Sequence, residues 1–170
     1  TPDPVSTAKA EGILEKGYRM LTEAARAAKQ VVLSVFESWD IETLDDSGET
    51  SASNESSVIL YGTIDGKNIL LTGDAGHVAL GNAANYCDQY GLPLQNFRLV
   101  SIPHHGGRRN VGPTILNRLV GPKVPESEKN TKGSAIVSSS EGDEHHPKPS
   151  VMNAFKRRGM RTAKTEGQVI

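Results

Sequence analysis

Five side chains able to bind a metal ion or carry a proton, Asp74, His104, His105, His145 and His146, fall just after short apolar runs. Asp74 closes "NILLTGD", His104 and His105 follow "FRLVSIP", and His145 and His146 come shortly after "SAIVSSS". A carboxylate and imidazoles brought to one edge of a sheet suit zinc, manganese or iron, and a carboxylate can bridge two such ions. Each residue also has a plainer role open to it. Asp74 is a good N-cap for a following helix, and paired histidines occur in polar loops. The stretch "EGDEHHPKP" has the composition of an exposed acidic loop, and His77, one turn after Asp74, reads as an exposed helix residue. Recurrence at successive strand ends is what favours a site.

The elements that must position these groups follow from periodicity. Leu14, Tyr18, Leu21, Ala25 and Ala28 recur at spacings of three and four, which predicts an amphipathic helix over 8–30, and "QVVLSVFE" at 30–37 has the residues of a strand. Residues 38–55 are acidic and small, so they predict a mobile surface loop. "SSVILYGTIDGKNILLTGD" predicts two strands joined at Asp65-Gly66, a dipeptide that supplies the positive φ angles of a tight hairpin. Val78 or Ala79, then Ala83, Tyr86 and Tyr90, predict a helix stopped by Gly91. Beyond it come a strand at 96–102, a helix at 113–120, a loop at 121–133 and a strand at 134–140. A helix through "PSVMNAFKRRG" closed by Gly159, and a last strand near 168–170, complete the pattern. Alternating strands and helices predict an α/β layered domain, whose sites lie at the carboxyl ends of the strands.

With 170 residues the chain has the length of about one domain. Lys and Arg number 19 against 20 Asp and Glu, a net charge of −1, and no long basic block marks a face built for polyanions, so any nucleic-acid contact is expected to be local. The basic clusters Arg108-Arg109 and "KRRGMR" at 156–161 read as solvated turn or helix ends. Cys87, the single cysteine, can form neither an intrachain disulfide nor a thiolate cluster, which points to a reducing, cytoplasmic compartment. No apolar run approaches the ~18 residues of a membrane span. The chain opens "TPDP" without a methionine and is expected to be the C-terminal part of a longer protein.

The segments "NESSVIL", "KNILLTGDA", "VSIPHHGG" and "SAIVSSSEGDEHHPKPSVMNAFKRRG" resemble the second half of a metallo-β-lactamase-fold hydrolase. The subtype is that of the DNA-uptake competence protein ComEC and its stand-alone relatives, and the similarity runs in order over roughly residues 54–170. The resemblance implies an αββα sandwich with one or two divalent ions, zinc or manganese, at its edge. It implies Asp74 as the bridging carboxylate, one of His104 and His105 as a later ligand with His105 given the catalytic role, and His146 as a position near the rim. Asn54, Ser56 and Ser57 match the segment leading into the hairpin. A phosphodiester, in DNA or a small phosphoester, is the implied substrate, and Arg108 and Arg109 are candidates to grip its phosphate.

Two positions depart from the family pattern. Gly76-His77 stand where a glutamate or similar polar residue is usual, and Gly107 replaces a serine, which is expected to remove a hydroxyl from the substrate side. The main metal motif, His-x-His-x-Asp-His, belongs to the first half of such a domain, and this chain has no His-x-His. The expectation is therefore half of a metal-dependent hydrolase. The alternatives are a non-catalytic α/β binding module that has lost its metals, or an accessory domain regulating a fused partner.

Overall fold

The computed structural model describes residues 16, 18–26, 39–140, 142, 143 and 145–165. The chain forms two compact units, 1–38 and 39–170. In the first, residues 18–26 are helical (α1), in the span where a helix is expected. The remainder of that predicted helix, the strand at 30–37 and the strand at 168–170 lie outside the described residues.

The second unit runs α2 (Ala52–Glu55), β1 (Leu60–Ile64), β2 (Lys67–Leu71), α3 (His77–Gln89) and β3 (Phe97–Ser101). It continues through α4 (Pro113–Leu119), β4 (Ser134–Val137), α5 (Pro149–Arg157) and β5 (Arg161–Lys164). The expected hairpin forms at Asp65 and Gly66, whose φ angles are 49° and 71°. Strand β5 is an addition to the sequence reading; "RTAK" has a single half-buried residue and no apolar alternation to betray it.

The five strands stand in sequence order, β1 antiparallel to β2 and every later pair parallel. Each parallel step passes through a helix, and such crossovers are right-handed. Three of them advancing in one direction put α3, α4 and α5 on one face of the sheet. Leu70, Phe97, Val100, Ala135 and Val137 accordingly share one core cluster with Leu80, Leu116, Val151 and Phe155 from those helices. The register sends Leu60, Leu71, Ile64, Ile69, Leu99 and Ile136 to the opposite face. There Leu60 is 56 % exposed, Ile64 61 % and Leu71 42 %. The sheet is an α/β layer with one aliphatic face turned out, and no helix among the described residues is long and apolar enough to cross a membrane.

Helix α3 sits one step out of phase with its expected stripe. Its buried residues are Ala79, Leu80, Ala84 and Cys87, while Val78, Tyr86 and Tyr90 are exposed. Alanines permit close approach to the sheet, and the two exposed tyrosine rings pack on each other at 4.4 Å.

Residues 39–50 form a strap with more anchors than a mobile loop of that composition suggests. The Trp39 indole donates to the Val124 carbonyl (2.8 Å), and Arg157 Nε donates to the Trp39 carbonyl (2.9 Å). Arg158, fully buried, bonds Glu42 at 2.6 Å, and Leu44 enters the core. Asp46 caps α4 from a distance, accepting from the Thr114 amide (3.0 Å) and hydroxyl (2.7 Å). A composition argument counts apolar area to bury, and apart from Leu44 these anchors are polar bonds.

Candidate functional site

The parallel strands point their carboxyl ends to one edge, and the loops leaving β2, β3 and β4 bring Asp74, His104 and His146 to it. His104 Nδ1 lies 3.6 Å from Asp74 Oδ1 and 3.5 Å from Asn54 Nδ2. The His146 ring stands perpendicular to that of His104, with centroids 6.4 Å apart. His104 and His105 are both left-handed, with φ of 47° and 53°, and Gly106 follows at 80°. Two consecutive non-glycine residues in that region store on the order of 1–3 kcal/mol each. The surrounding bonds hold the loop in spite of that cost.

Those bonds are specific. The His104 amide donates to the Gly73 carbonyl (3.1 Å), tying the histidine loop to the aspartate loop. Asn110, 2 % exposed, donates its side-chain amide to the carbonyls of Asp74 (2.9 Å) and Ala75 (3.2 Å). Asp143 accepts from the amides of His145 (2.7 Å) and His146 (3.0 Å), which fixes the turn carrying His146. The His145 amide is the main cause of the downward shift of the Asp143 pKa.

Gly107 and Gly76 both stand where a side chain would meet close neighbours. A Cβ on Gly107 would come within 2.9 Å of Asn110 Oδ1 and 3.0 Å of His104 Cδ2, so this position faces the site's supports and a serine needs them to move. At Gly76 a Cβ would collide with Glu55 Oε1 and Thr50 Oγ1, so a carboxylate from another segment occupies that space. Glu55 accepts from Thr50 Oγ1 (2.6 Å) and from the Ala79 amide at the start of α3 (2.7 Å). Burial pushes the Glu55 pKa up, but the bonds from Thr50 and the Ala79 and Val78 amides, with His77 nearby, outweigh it and leave the carboxyl below its ordinary range. Glu55 thus clamps α2, and with it Asn54, to the amino end of α3.

The other sequence candidates divide. His105 is exposed and turned from Asp74: its Nδ1 pairs with the Ser138 carbonyl at 2.9 Å, so His104 is the histidine that meets the aspartate. Ser57 lies against Gly73, its Oγ 3.8 Å from where a Cβ would stand. His145 is exposed. Arg108 is occupied by Asp45 (3.0 Å) and the Thr43 carbonyl (3.1 Å). Arg109 is exposed and, with Glu49 and Gly48, lines an open cleft of about 530 Å³. His77 is half-buried rather than exposed, and its Nε2 is buried without a partner. Gly112 lets it approach, since a Cβ there would stand 2.7 Å from His77 Cε1. Sequence reasoning missed Thr50, Glu55, Asn110 and Asp143, of which only Asp143, two residues before a histidine, had a recognisable Asx-turn position.

Among the described residues, no group of three or more His, Cys, Asp or Glu side chains is disposed to hold a metal ion. Asp74 and His104 offer two donors, one short of the three that catalytic zinc sites draw from protein. Comparison with protein-family models, with curated proteins and with solved structures gives no match.

Proposed function

We propose that the chain is the C-terminal half of a metal-dependent hydrolase of metallo-β-lactamase fold, acting on phosphodiesters in nucleic acid or a small phosphoester. The convergence of Asp74, His104 and His146 on one sheet edge, on a loop with two consecutive left-handed histidines, carries this reading. Strain of that kind persists where a site needs a particular side-chain direction. The outward aliphatic face supports the two-layer architecture, because parallel sheets are ordinarily covered on both sides. In this reading the ligands that Asp74 and His104 lack come from sequence outside these 170 residues, and the protein binds one or two zinc or manganese ions.

Asp74 and His104, with further ligands from elsewhere in the protein, would hold a divalent ion, and such an ion would supply Lewis acidity. The chain's own residues do the positioning: Asn110 and the His104 amide fix the Asp74 loop, Asn54 faces His104, and Arg109, in the lining of the open cleft, is the guanidinium offered to the substrate. In the complete protein supplied with zinc or manganese, Asp74→Ala should abolish hydrolysis of bis-nitrophenyl phosphate and single-stranded DNA while leaving the circular dichroism unchanged. Full activity in that variant, or inactivity of the folded, metal-loaded parent, turns the assignment to a non-catalytic α/β binding or accessory domain. The two-donor set at Asp74 and His104 is the observation favouring that second reading.

A further inference from the structure

The opposite edge of the sheet, where the parallel strands begin, carries a feature that the proposed chemistry leaves unused. The starts of β2, β3 and β4 surround an open basin of about 380 Å³ lined by Lys67, Asn68, Asn96, Arg98 and Lys132 among others, with no carboxylate in its lining. Backbone forms part of its wall, since a Cβ on Gly133 would collide with the carbonyl oxygens of Phe97 and Arg98. Lys132 is held in place by its Nζ bond to the Val120 carbonyl (3.1 Å) and packs beside Gly159. Lys67 and Arg98 are exposed and, among the described residues, have no acidic partner, whereas Arg108, Arg118, Lys129 and Arg158 each have one.

Three like charges around one basin repel each other, and a chain of net charge −1 has enough carboxylates to pair them. The Asn68 side chain adds to the donor set: its Oδ1 accepts from Thr63 Oγ1 (3.0 Å), which orients the amide and leaves Nδ2 to donate. Asn96 adds a second amide at the rim. Two exposed cations, one anchored cation and two amides, with no carboxylate in the lining, form a donor-rich bowl that matches a tetrahedral oxyanion.

We propose that this basin is a second binding site, specific for a phosphate-type oxyanion and separate from the carboxyl edge. A five-residue strand spans about 15 Å, so a phosphate held here is out of reach of His104 and Asp74. The site therefore binds rather than reacts. It does not rest on the hydrolase assignment and would serve a binding module equally.

The test is a titration of the intact protein with inorganic phosphate at low ionic strength, followed by the amide resonances of residues 67, 68, 96 and 98. Saturable shifts at those amides are expected, and Lys67→Ala with Arg98→Ala should weaken binding by about tenfold or more, as befits loss of charge-assisted donors. Lys67→Gln with Arg98→Gln, which keeps side-chain length, should do the same, and Lys156→Ala on the exposed side of α5 should not. A parallel titration with a short single-stranded oligonucleotide separates the sources. Tighter, steeply salt-dependent binding lost in the same variants identifies a polynucleotide backbone, and binding no tighter than phosphate identifies a free phosphate or small ester. No shift at these amides, or shifts that survive both double variants, overturns the proposal.

Discussion

Two Arg-Arg dipeptides hold the same strap by different means. Arg157 and Arg158, at the end of α5, are 2 % and 0 % exposed and reach the Trp39 carbonyl and the Glu42 carboxylate. Arg108 and Arg109, after the histidine loop, are exposed; the Arg108 side chain bonds the strap at Thr43 and Asp45, and Arg109 meets it through its backbone at Gly48. The buried pair acts as structure. In the exposed pair the side chain of Arg108 is a tie, and that of Arg109 lines the open cleft beside the strap. A dipeptide's chemistry is set by how much water it keeps, which the letters alone do not carry.

The sharpest way to break this comparison is to remove one guanidinium from each pair. Arg158→Ala leaves Glu42, itself 7 % exposed on its side chain, with only the half-exposed Lys123 ammonium at 3.8 Å, and should cost about 3 kcal/mol in urea unfolding. Replacing both partners together, Arg158→Met with Glu42→Leu, should recover most of that loss, because no buried charge is then left unpaired. Arg108→Ala breaks an exposed pair and should cost under about 1 kcal/mol. If the two arginines cost the same, burial is not what distinguishes them.

A smaller effect separates Arg108 from Arg109. On the hydrolase reading, Arg109→Ala should raise KM for a phosphodiester with kcat little changed and with no loss of stability, since its guanidinium grips the ground state. Arg108→Ala should affect KM less, its guanidinium being engaged by Asp45. Steady-state kinetics on both variants decide this, and a larger KM effect from Arg108 reverses the assignment.

The smallest effect is acid loosening of the strap. The Asp45 carboxyl is held below its ordinary value of 3.8, first by the Ser47 hydroxyl, then by the Ser47 amide and Arg108. Glu55 lies below its ordinary 4.5. A depressed carboxyl contributes stability that is present above its ordinary pKa and lost as pH falls through the lowered one. Trp39, the only tryptophan, reports on the strap. Its emission should change on acidification starting below about pH 4.5, and Glu55→Gln should reduce that change.

Much of the layered fold was legible because its strands are apolar runs bounded by turn residues, and Asp65-Gly66 declared its hairpin outright. The positions of Asp74, His104 and His146 at strand ends were legible for the same reason. What escaped was set by side chains reaching far along the chain: Glu55 filling the space beside Gly76, Asn110 holding the Asp74 carbonyl, and Asp46 at Thr114. Such bonds leave no period in the sequence. The tyrosines of α3 misled in another way, since a large aromatic at helical spacing counts as core by type, and Tyr86 and Tyr90 face water.

The cap that Asp46 provides sets an order of events. Helix α4 has only seven residues, well below the ~12 at which an isolated helix becomes marginal in water. Its amino end is closed by a carboxylate 68 positions earlier in the chain. The helix therefore cannot act as an early seed: it becomes durable only once that long loop has closed, which places it late in assembly. In a chain growing from the ribosome the strap is made first, and Asp46 waits for its partner until Thr114 appears, six residues after Arg108 has offered the strap a tie.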